Sequence, residues 1–431
     1  MIPSPQIVLI NPPSHCVNDD RVEPPLGLLY IASNLRESGY KNISIYDMSG
    51  SMSELEIKER MENVPNADIY GVTCFCTNYP YAKEVISQIK SKNMSAYVVI
   101  GGPNSSGVPE FTYNHSEADT VVVGEGEDMF KDCIDSFLSG SRLIGIQRGA
   151  GRLDIDSYAF PARDLVDLTT YSRRLMDKRV ISLLSSRGCK HHCVYCNSVV
   201  MGGGNRMVRY RSPDNILEEI RTMRDSYKYF RFNDDHFTGN PSLEELLMDM
   251  RDLDITFRIF ARVEDLNEKN SRLLKEAGCV HVSIGLESLH PPNLKIIGKR
   301  AQVGYENNVQ IAKSYGLVIR SSFMVGLPFD TNKTVEQSFT RAAQLGIDEF
   351  TVYPLIPYPG TVVAEFPERF GYTIVNADFV DYIQVGRNRK TCFALQHKNF
   401  SSEDVKKWLE DATKILKSGG VKHMSESEVA T

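Results

Sequence analysis

Ser185-Ser186-Arg187-Gly188-Cys189-Lys190-His191-His192-Cys193-Val194-Tyr195-Cys196 sets three cysteines at the spacing C-x3-C-x2-C, directly after an apolar run at 180–185 that reads as a strand. Thiolates so spaced can each take one iron of a cubane cluster, which leaves the fourth iron without a protein ligand. An open coordination position is what lets a metal centre bind and activate a small molecule. A zinc site built from the three cysteines and His191 or His192 is the competing reading. Adjacent histidines inside a C-x3-C loop are poorly placed for it, and no second C-x2-C pair occurs elsewhere. Three unrelated core cysteines do not suit so polar a loop.

Downstream of this segment, short apolar runs at 229–233, 257–262, 281–286, 318–325 and 349–353 alternate with helical patterns at 213–226, 243–253, 268–276, 305–315 and 333–345. With the strand at 180–185 they make six strand–helix repeats, which predicts a partial (β/α)6 barrel of the TIM type with its chemistry at the C-terminal strand ends. Ser242 with Glu245 reads as a capping box, and Ser212-Pro213-Asp214 as a cap followed by a first-turn proline. A last helix at 402–417 carries the only tryptophan, Trp408, as a lid or brace, and the tail at 418–431 is expected to fray.

Upstream, runs at 6–10, 43–46, 69–73, 97–100 and 120–123 alternate with helices at 26–38, 53–61, 81–91 and 128–138, the pattern of a doubly wound parallel α/β sheet. Asn11-Pro12-Pro13, Thr73-Cys74, Gly101-Gly102-Pro103 and Gly124-Glu125-Gly126 follow four of those strands, on the edge where such sheets bind ligands. The expected division is a first domain at 1–140, a connector at 141–179, the barrel at 180–365 and a C-terminal helical segment at 366–431.

A net charge of −6, a pI near 5.9 and 24% charged residues argue against a nucleic-acid groove or an anionic membrane as the main partner. No run reaches the ~18 apolar residues of a membrane span, and Met1-Ile2-Pro3-Ser4-Pro5 has no basic region of a signal peptide. Nine cysteines, an odd number with one tight cluster, fit reduced thiols and a cytoplasmic setting. Cys74 and Cys76 lack a third partner nearby, and Cys16, Cys133, Cys279 and Cys392 are isolated, so no auxiliary cluster is expected.

Taken together, the chain resembles the radical S-adenosylmethionine (radical SAM) superfamily over roughly residues 5–365, in the branch with an N-terminal cobalamin-binding-type domain. Asn11-Pro12-Pro13 and Pro24-Pro25-Leu26-Gly27-Leu28-Leu29-Tyr30-Ile31-Ala32 resemble that branch's opening. Gly101-Gly102-Pro103 and Val122-Val123-Gly124-Glu125-Gly126-Glu127 resemble its later loops. In the barrel, Phe232-Asn233-Asp234-Asp235-His236-Phe237 is similar to the second-strand motif near the methionine amino group. Ile284-Gly285-Leu286-Glu287-Ser288 is similar to the fourth-strand segment whose glutamate contacts the nucleoside, and Val325-Gly326-Leu327-Pro328 and Tyr358-Pro359-Gly360-Thr361 continue the likeness.

The resemblance implies a [4Fe–4S] cluster on Cys189, Cys193 and Cys196 and S-adenosylmethionine contacts from Tyr195, Asp234, Asp235, Arg262, Glu287 and Gly326. It implies cobalamin contacts from Pro12, Pro13, Leu26, Gly27, Gly101, Gly102, Gly124 and Glu125. From the residues alone, Asp234 or Asp235 could instead cap a helix, Arg262 could meet an internal acid, and Gly326 could only turn the chain. The implied activity is reductive cleavage of S-adenosylmethionine, hydrogen abstraction from a small-molecule substrate and cobalamin-dependent C-methylation, with an external electron donor of flavodoxin or ferredoxin type. This chemistry places the first sheet's carboxyl edge over the barrel mouth, with substrate between the domains. The Asp-x-His-x-x-Gly loop by which many cobalamin proteins ligate cobalt is absent; the N-terminal histidines are His15 and His115. Two alternatives therefore stay open: a cobalamin-independent radical rearrangement, cyclisation or dehydration, and a non-catalytic iron–sulfur redox protein.

Overall fold

Five-residue runs such as Ile7–Asn11 and Thr120–Gly124 are apolar without alternation, as parallel strands covered on both faces must be. In the computed structural model, which describes residues 5–14, 19–51, 53–204, 206–299, 304–376, 382 and 393–424, they belong to one sheet. Its strands are β1 Ile7–Asn11, β2 Ile43–Asp47, β3 Ile69–Thr73, β4 Tyr97–Gly101, β5 Thr120–Gly124 and β6 Gly145–Gly149. They run parallel in the order β2-β1-β3-β4-β5-β6. The order reverses between β1 and β3, so helices cover both faces and two separate apolar layers form, one around Val8, Ile57 and Ile86 and one around Leu9, Leu35 and Phe130. Strand β6 corrects the sequence reading, which left these residues in a connector. GIQRG carries almost no apolar signal because an edge strand is only half covered.

The second sheet contains β7 Ile181–Leu183, β8 Tyr229–Phe232, β9 Thr256–Ala261, β10 Cys279–Glu287, β11 Val318–Val325 and β12 Glu349–Pro354, each parallel to the next. A two-residue strand, β13 Lys422–His423, adds beyond β12. This corrects the expectation of a frayed tail as far as Met424, because Val421 and Met424 are buried; residues 425–431 lie outside the described residues. The last helix, Ser402–Ser418, packs on the helix Asn332–Gln344, and buried Trp408 donates from Nε1 to Asn332 Oδ1 at 2.8 Å, the role of a brace. Ser212 caps its helix through Asn215 N–H, whereas Ser242 makes no side-chain cap, so the expected capping box there does not form.

The two units meet at the carboxyl edge of the first sheet. Gly107, at the end of the short helix Pro103–Gly107 that follows β4, lies so close to the barrel that a Cβ would sit 2.5 Å from the Pro359 carbonyl, which only glycine allows. Just before the first helix, Glu23 reaches into the barrel. It accepts from Arg173 Nε at 2.9 Å, Ser182 Oγ at 2.6 Å, Asn233 Nδ2 at 2.8 Å and the Arg231 guanidinium. Burial pushes this carboxyl up, but Arg231 and then Arg173 outweigh it and hold it down at about 2.

A depressed pKa of this kind adds stability above the unfolded value and loses it as the carboxyl protonates. Glu23→Gln is expected to cost on the order of 3–5 kcal/mol at pH 7, as for breaking a buried pair. The deficit against wild type should shrink as pH falls from 4.5 towards 2, the window between the ordinary and the held value. Urea melts of both proteins across that range measure it; a pH-independent difference would show that Glu23 acts through shape alone.

Candidate functional site

At the carboxyl end of β7 the chain turns through Arg187 and Gly188 into the cysteine loop. Asp234, 1% exposed and just past β8, pins this turn. It accepts from Ser185 N–H at 3.0 Å, Ser185 Oγ at 2.7 Å and Ser186 Oγ at 2.5 Å, while burial still pushes its carboxyl up. Arg187 then anchors the loop to the first domain through Glu125 at 2.8 Å and Glu127 at 2.7 Å, and Arg209 pairs with Glu125 from the other side. On its far side the loop rests on the turn after the helix Pro291–Ile296. Val194 N–H donates to Ile297 at 3.1 Å, and Gly298, with φ at +79°, has no room for a Cβ beside the His192 carbonyl.

Cys189, Cys193 and Cys196 sit half-buried in that loop as free thiols. Burial raises Cys189, and it raises Cys196 to about 12, with Asp235, Cys193 and Cys189 adding to it against the Ser198 N–H. Among the described residues no three His, Cys, Asp or Glu side chains stand close enough to share a single ion. A cubane asks for a different arrangement, since each thiolate takes its own iron. Three free, half-buried sulfurs on one loop meet that need.

Around the loop the barrel supplies Tyr195 and Glu287. Glu287 ends β10 at a register shift after Gly285 and has φ at +61°, a left-handed conformation rare for a non-glycine residue and typical of functional sites. Its carboxylate accepts from Tyr195 Oη at 3.0 Å and from Lys299 Nζ at 2.9 Å. A bulged, buried acid beside a tyrosine at a strand end is a fitting contact for the polar groups of S-adenosylmethionine. Asp235 faces the same loop and accepts from Ser198 Oγ at 2.5 Å. The other calls are held differently. Asp234 is taken up by the two serines, Arg262 Nε donates to Glu264 at 2.5 Å, and Gly326 packs on Val405 of the last helix while its carbonyl accepts from Tyr372 Oη.

On the first domain, Pro12, Pro13, Gly101, Gly102 and Gly124 lie on the carboxyl edge, and Leu26 and Gly27 open the helix Leu26–Glu37. Glu125 is committed to the barrel arginines. At the same edge, Asn104 and Ser105 are buried with side-chain polar atoms that have no hydrogen-bond partner. Orphaned amide and hydroxyl groups beside glycine turns fit the amide-fringed ring of cobalamin. His115 Nδ1 donates to Phe111 O at 2.8 Å and its ring stacks on that of Phe111; His15 lies outside the described residues.

The model for the radical SAM superfamily matches residues 183–342, and the model for the B12-binding domain matches residues 17–134. "Uncharacterized methyltransferase PH0819" of Pyrococcus horikoshii is 31% identical over 94% of this chain and 91% of its own length. The chain belongs to the radical SAM superfamily. Its branch is the one that carries a B12-binding domain, and [4Fe–4S], S-adenosylmethionine and cobalamin are the cofactors of that architecture. The anaerobic magnesium-protoporphyrin IX monomethyl ester cyclase of Rubrivivax gelatinosus is 26% identical over 78% of this radical SAM chain and 65% of its own. The methyltransferase TsrM of Kitasatospora setae, solved with cobalamin and a [4Fe–4S] cluster, overlays with a TM-score of 0.71 at 16% identity, over 95% of this chain and 90% of that one. At such identity the likeness speaks for the fold.

Below Tyr195 and Glu287 the radical SAM barrel encloses a cavity of about 260 Å³, lined also by Arg173, Arg231, Arg258 and Arg320. Sequence reading passed over these arginines and Lys299. A charged residue inside an otherwise apolar parallel strand, as in YFRF, TFRIFA and VIRSSFMV, was the available signal.

Asp234→Ala would strand three or more buried donors at 1–3 kcal/mol each, so it is expected to lower stability by several kcal/mol and to reduce iron incorporation. Asp234→Asn keeps an acceptor and should be milder in both. Urea melts and iron analysis of the two variants check the order.

Proposed function

We propose that the chain is a cobalamin-dependent radical SAM enzyme that methylates carbon in a small molecule. One observation carries the reading: the cysteine loop and the carboxyl edge of the B12-type sheet are joined through Arg187, Glu125 and Glu127, beside a barrel cavity. Similarity to proteins named as methyltransferases, among them PH0819 of Pyrococcus horikoshii, supports the class. When bound, the cluster with S-adenosylmethionine supplies the one-electron chemistry that opens an unactivated C–H bond, and cobalamin supplies a methyl group.

In this reading Cys189, Cys193 and Cys196 hold the cluster, while Glu287 and Tyr195 orient the nucleoside end and Asp235 the amino end of S-adenosylmethionine. The turn at Gly101-Gly102, together with Pro12, Pro13, Leu26, Gly27 and Gly124, borders the cobalamin side. Asp234 positions the loop. Low-potential electrons come from an external flavodoxin- or ferredoxin-type donor. No helix among the described residues is long and apolar enough to cross a membrane.

The test is anaerobic purification from cells supplied with cobalamin, followed by iron, sulfide and cobalamin analysis and an assay for 5′-deoxyadenosine. Near-stoichiometric cobalamin, with Cys189→Ala, Cys193→Ala and Cys196→Ala each losing the cluster absorbance and all cleavage, is the expected result. The missing Asp-x-His-x-x-Gly loop favours a second reading, radical chemistry without cobalamin. An intact cluster and cleavage in protein that never takes up cobalamin would establish that reading instead.

A further inference from the structure

Arginine is seldom buried, yet Arg173, Arg231, Arg258 and Arg320 are each only 3–5% exposed and line one cavity, with Arg173 and Arg231 sharing the one carboxylate of Glu23. Arg231 and Arg258 are register partners on β8 and β9, and Arg320 is the register partner of Ser283 on β11 and β10. Arg320 is thus level with Phe260, two residues beyond Arg258, and all four guanidinium groups face the same cavity. Arg258 donates to Ser283 Oγ at 2.8 Å, and the Arg231 and Arg258 guanidinium groups lie 5.2 and 5.4 Å from the Phe260 ring. The Nε atoms of Arg231 and Arg258 are buried with no hydrogen-bond partner.

The neighbouring charges do not balance. Among the described residues five cations, the four arginines and Lys299, face three carboxylates, Glu23, Glu287 and Glu349, an excess of two positive charges. His281, beside Glu349, is held below its usual range by burial, and Lys422, 3.8 Å from Glu349, reaches in from solvent. Burial and the other three arginines push Arg258 well below the usual guanidinium range. Buried like charges with unmet donors cost free energy unless an anion completes them.

We propose that this bore is an anion subsite that takes a phosphate or phosphonate group of the substrate. A planar guanidinium fork matches tetrahedral oxyanions in two-point contacts, the Ser283 and Ser322 hydroxyls line the same wall, and a dianion offsets the excess charge. The inference rests on reading the cavity as the substrate site and adds the substrate's class. It is separate from the carboxylate of S-adenosylmethionine. Arg258 lies three residues and Arg320 five residues before their strands end, roughly 10–16 Å below the rim at ~3.3 Å per residue, whereas Arg231, one residue before its strand end, and the cysteine loop sit near the rim. Substrate anchored at the floor by its anion presents its carbon skeleton towards Tyr195 and Glu287.

Calorimetric titration of the reconstituted, full-length holoprotein with S-adenosylmethionine present tests this, using inorganic phosphate and methylphosphonate, with succinate and chloride at matched ionic strength. Saturable binding of the two phosphorus anions alone is expected, weakened roughly tenfold or more in Arg258→Met and Arg320→Met and unchanged in Arg251→Met, which alters an exposed pair with Glu276. Without phosphate, Arg258→Met should melt at or above the wild-type temperature, because a repelled charge is gone, and it should lose the phosphate-dependent rise. Equal binding of succinate or chloride, undiminished phosphate binding in the variants, or an Arg258→Met protein that melts well below wild type would each overturn the subsite. Cobalamin content and 5′-deoxyadenosine formation are measured on the same samples. Their absence alongside phosphate binding would sink the methyltransferase reading and leave the anion site; their presence without phosphate binding would sink only the site.

Discussion

The Arg187 guanidinium, clamped between Glu125 and Glu127 and stacked near Tyr30 and Tyr158, ties the cysteine loop to the other domain. Burial works against its charge, and Glu127 and Glu125 more than restore it. Such a pair adds little net stability compared with an apolar contact of the same shape, but breaking it leaves a stranded charge, so it specifies one arrangement. Here that arrangement sets the loop at Cys189 two residues from an anchor on the B12-type domain. A reaction that needs two cofactors and a substrate within contact depends on such registration, because small misplacements are costly in rate.

Two further devices fix the geometry around that anchor. Asp234 locks the turn that precedes the loop, and the Gly298 turn supports the loop from beneath, so the three thiols are presented by a braced segment. Glu287 is held in a left-handed conformation by the bulge after Gly285 and by Lys299 and Tyr195. Strain at that residue is stored where a carboxylate has to turn into the bore.

Glu23 links these rim features to the arginines at the floor. It crosses from the first domain to meet Arg173, Arg231, Ser182 and Asn233. The same contact closes the barrel beside β7 and neutralises part of the buried positive charge. Domain docking and the electrostatics of the cavity are therefore one problem in this protein, solved by a single carboxylate.

Much of the architecture was legible in the chain itself. Unbroken apolar runs between helical patterns require parallel sheets, and C-x3-C-x2-C after the first barrel strand requires a loop of thiols, because both depend on local periodicity and spacing. Strand β6, with its GIQRG sequence, and strand β13 were not, since edge strands carry weak apolar patterns. Nor could local sequence tell that Asp234 would bond to serines 48 and 49 residues away, that Glu125 would meet Arg187, or that Arg231, Arg258 and Arg320 would line one cavity. Those are through-space pairings of polar groups, set by strand register and domain docking. The sequence by itself determined the fold class and the position of the three-cysteine loop after the first barrel strand; only the tertiary structure decided which charges are balanced and which are left facing the cavity.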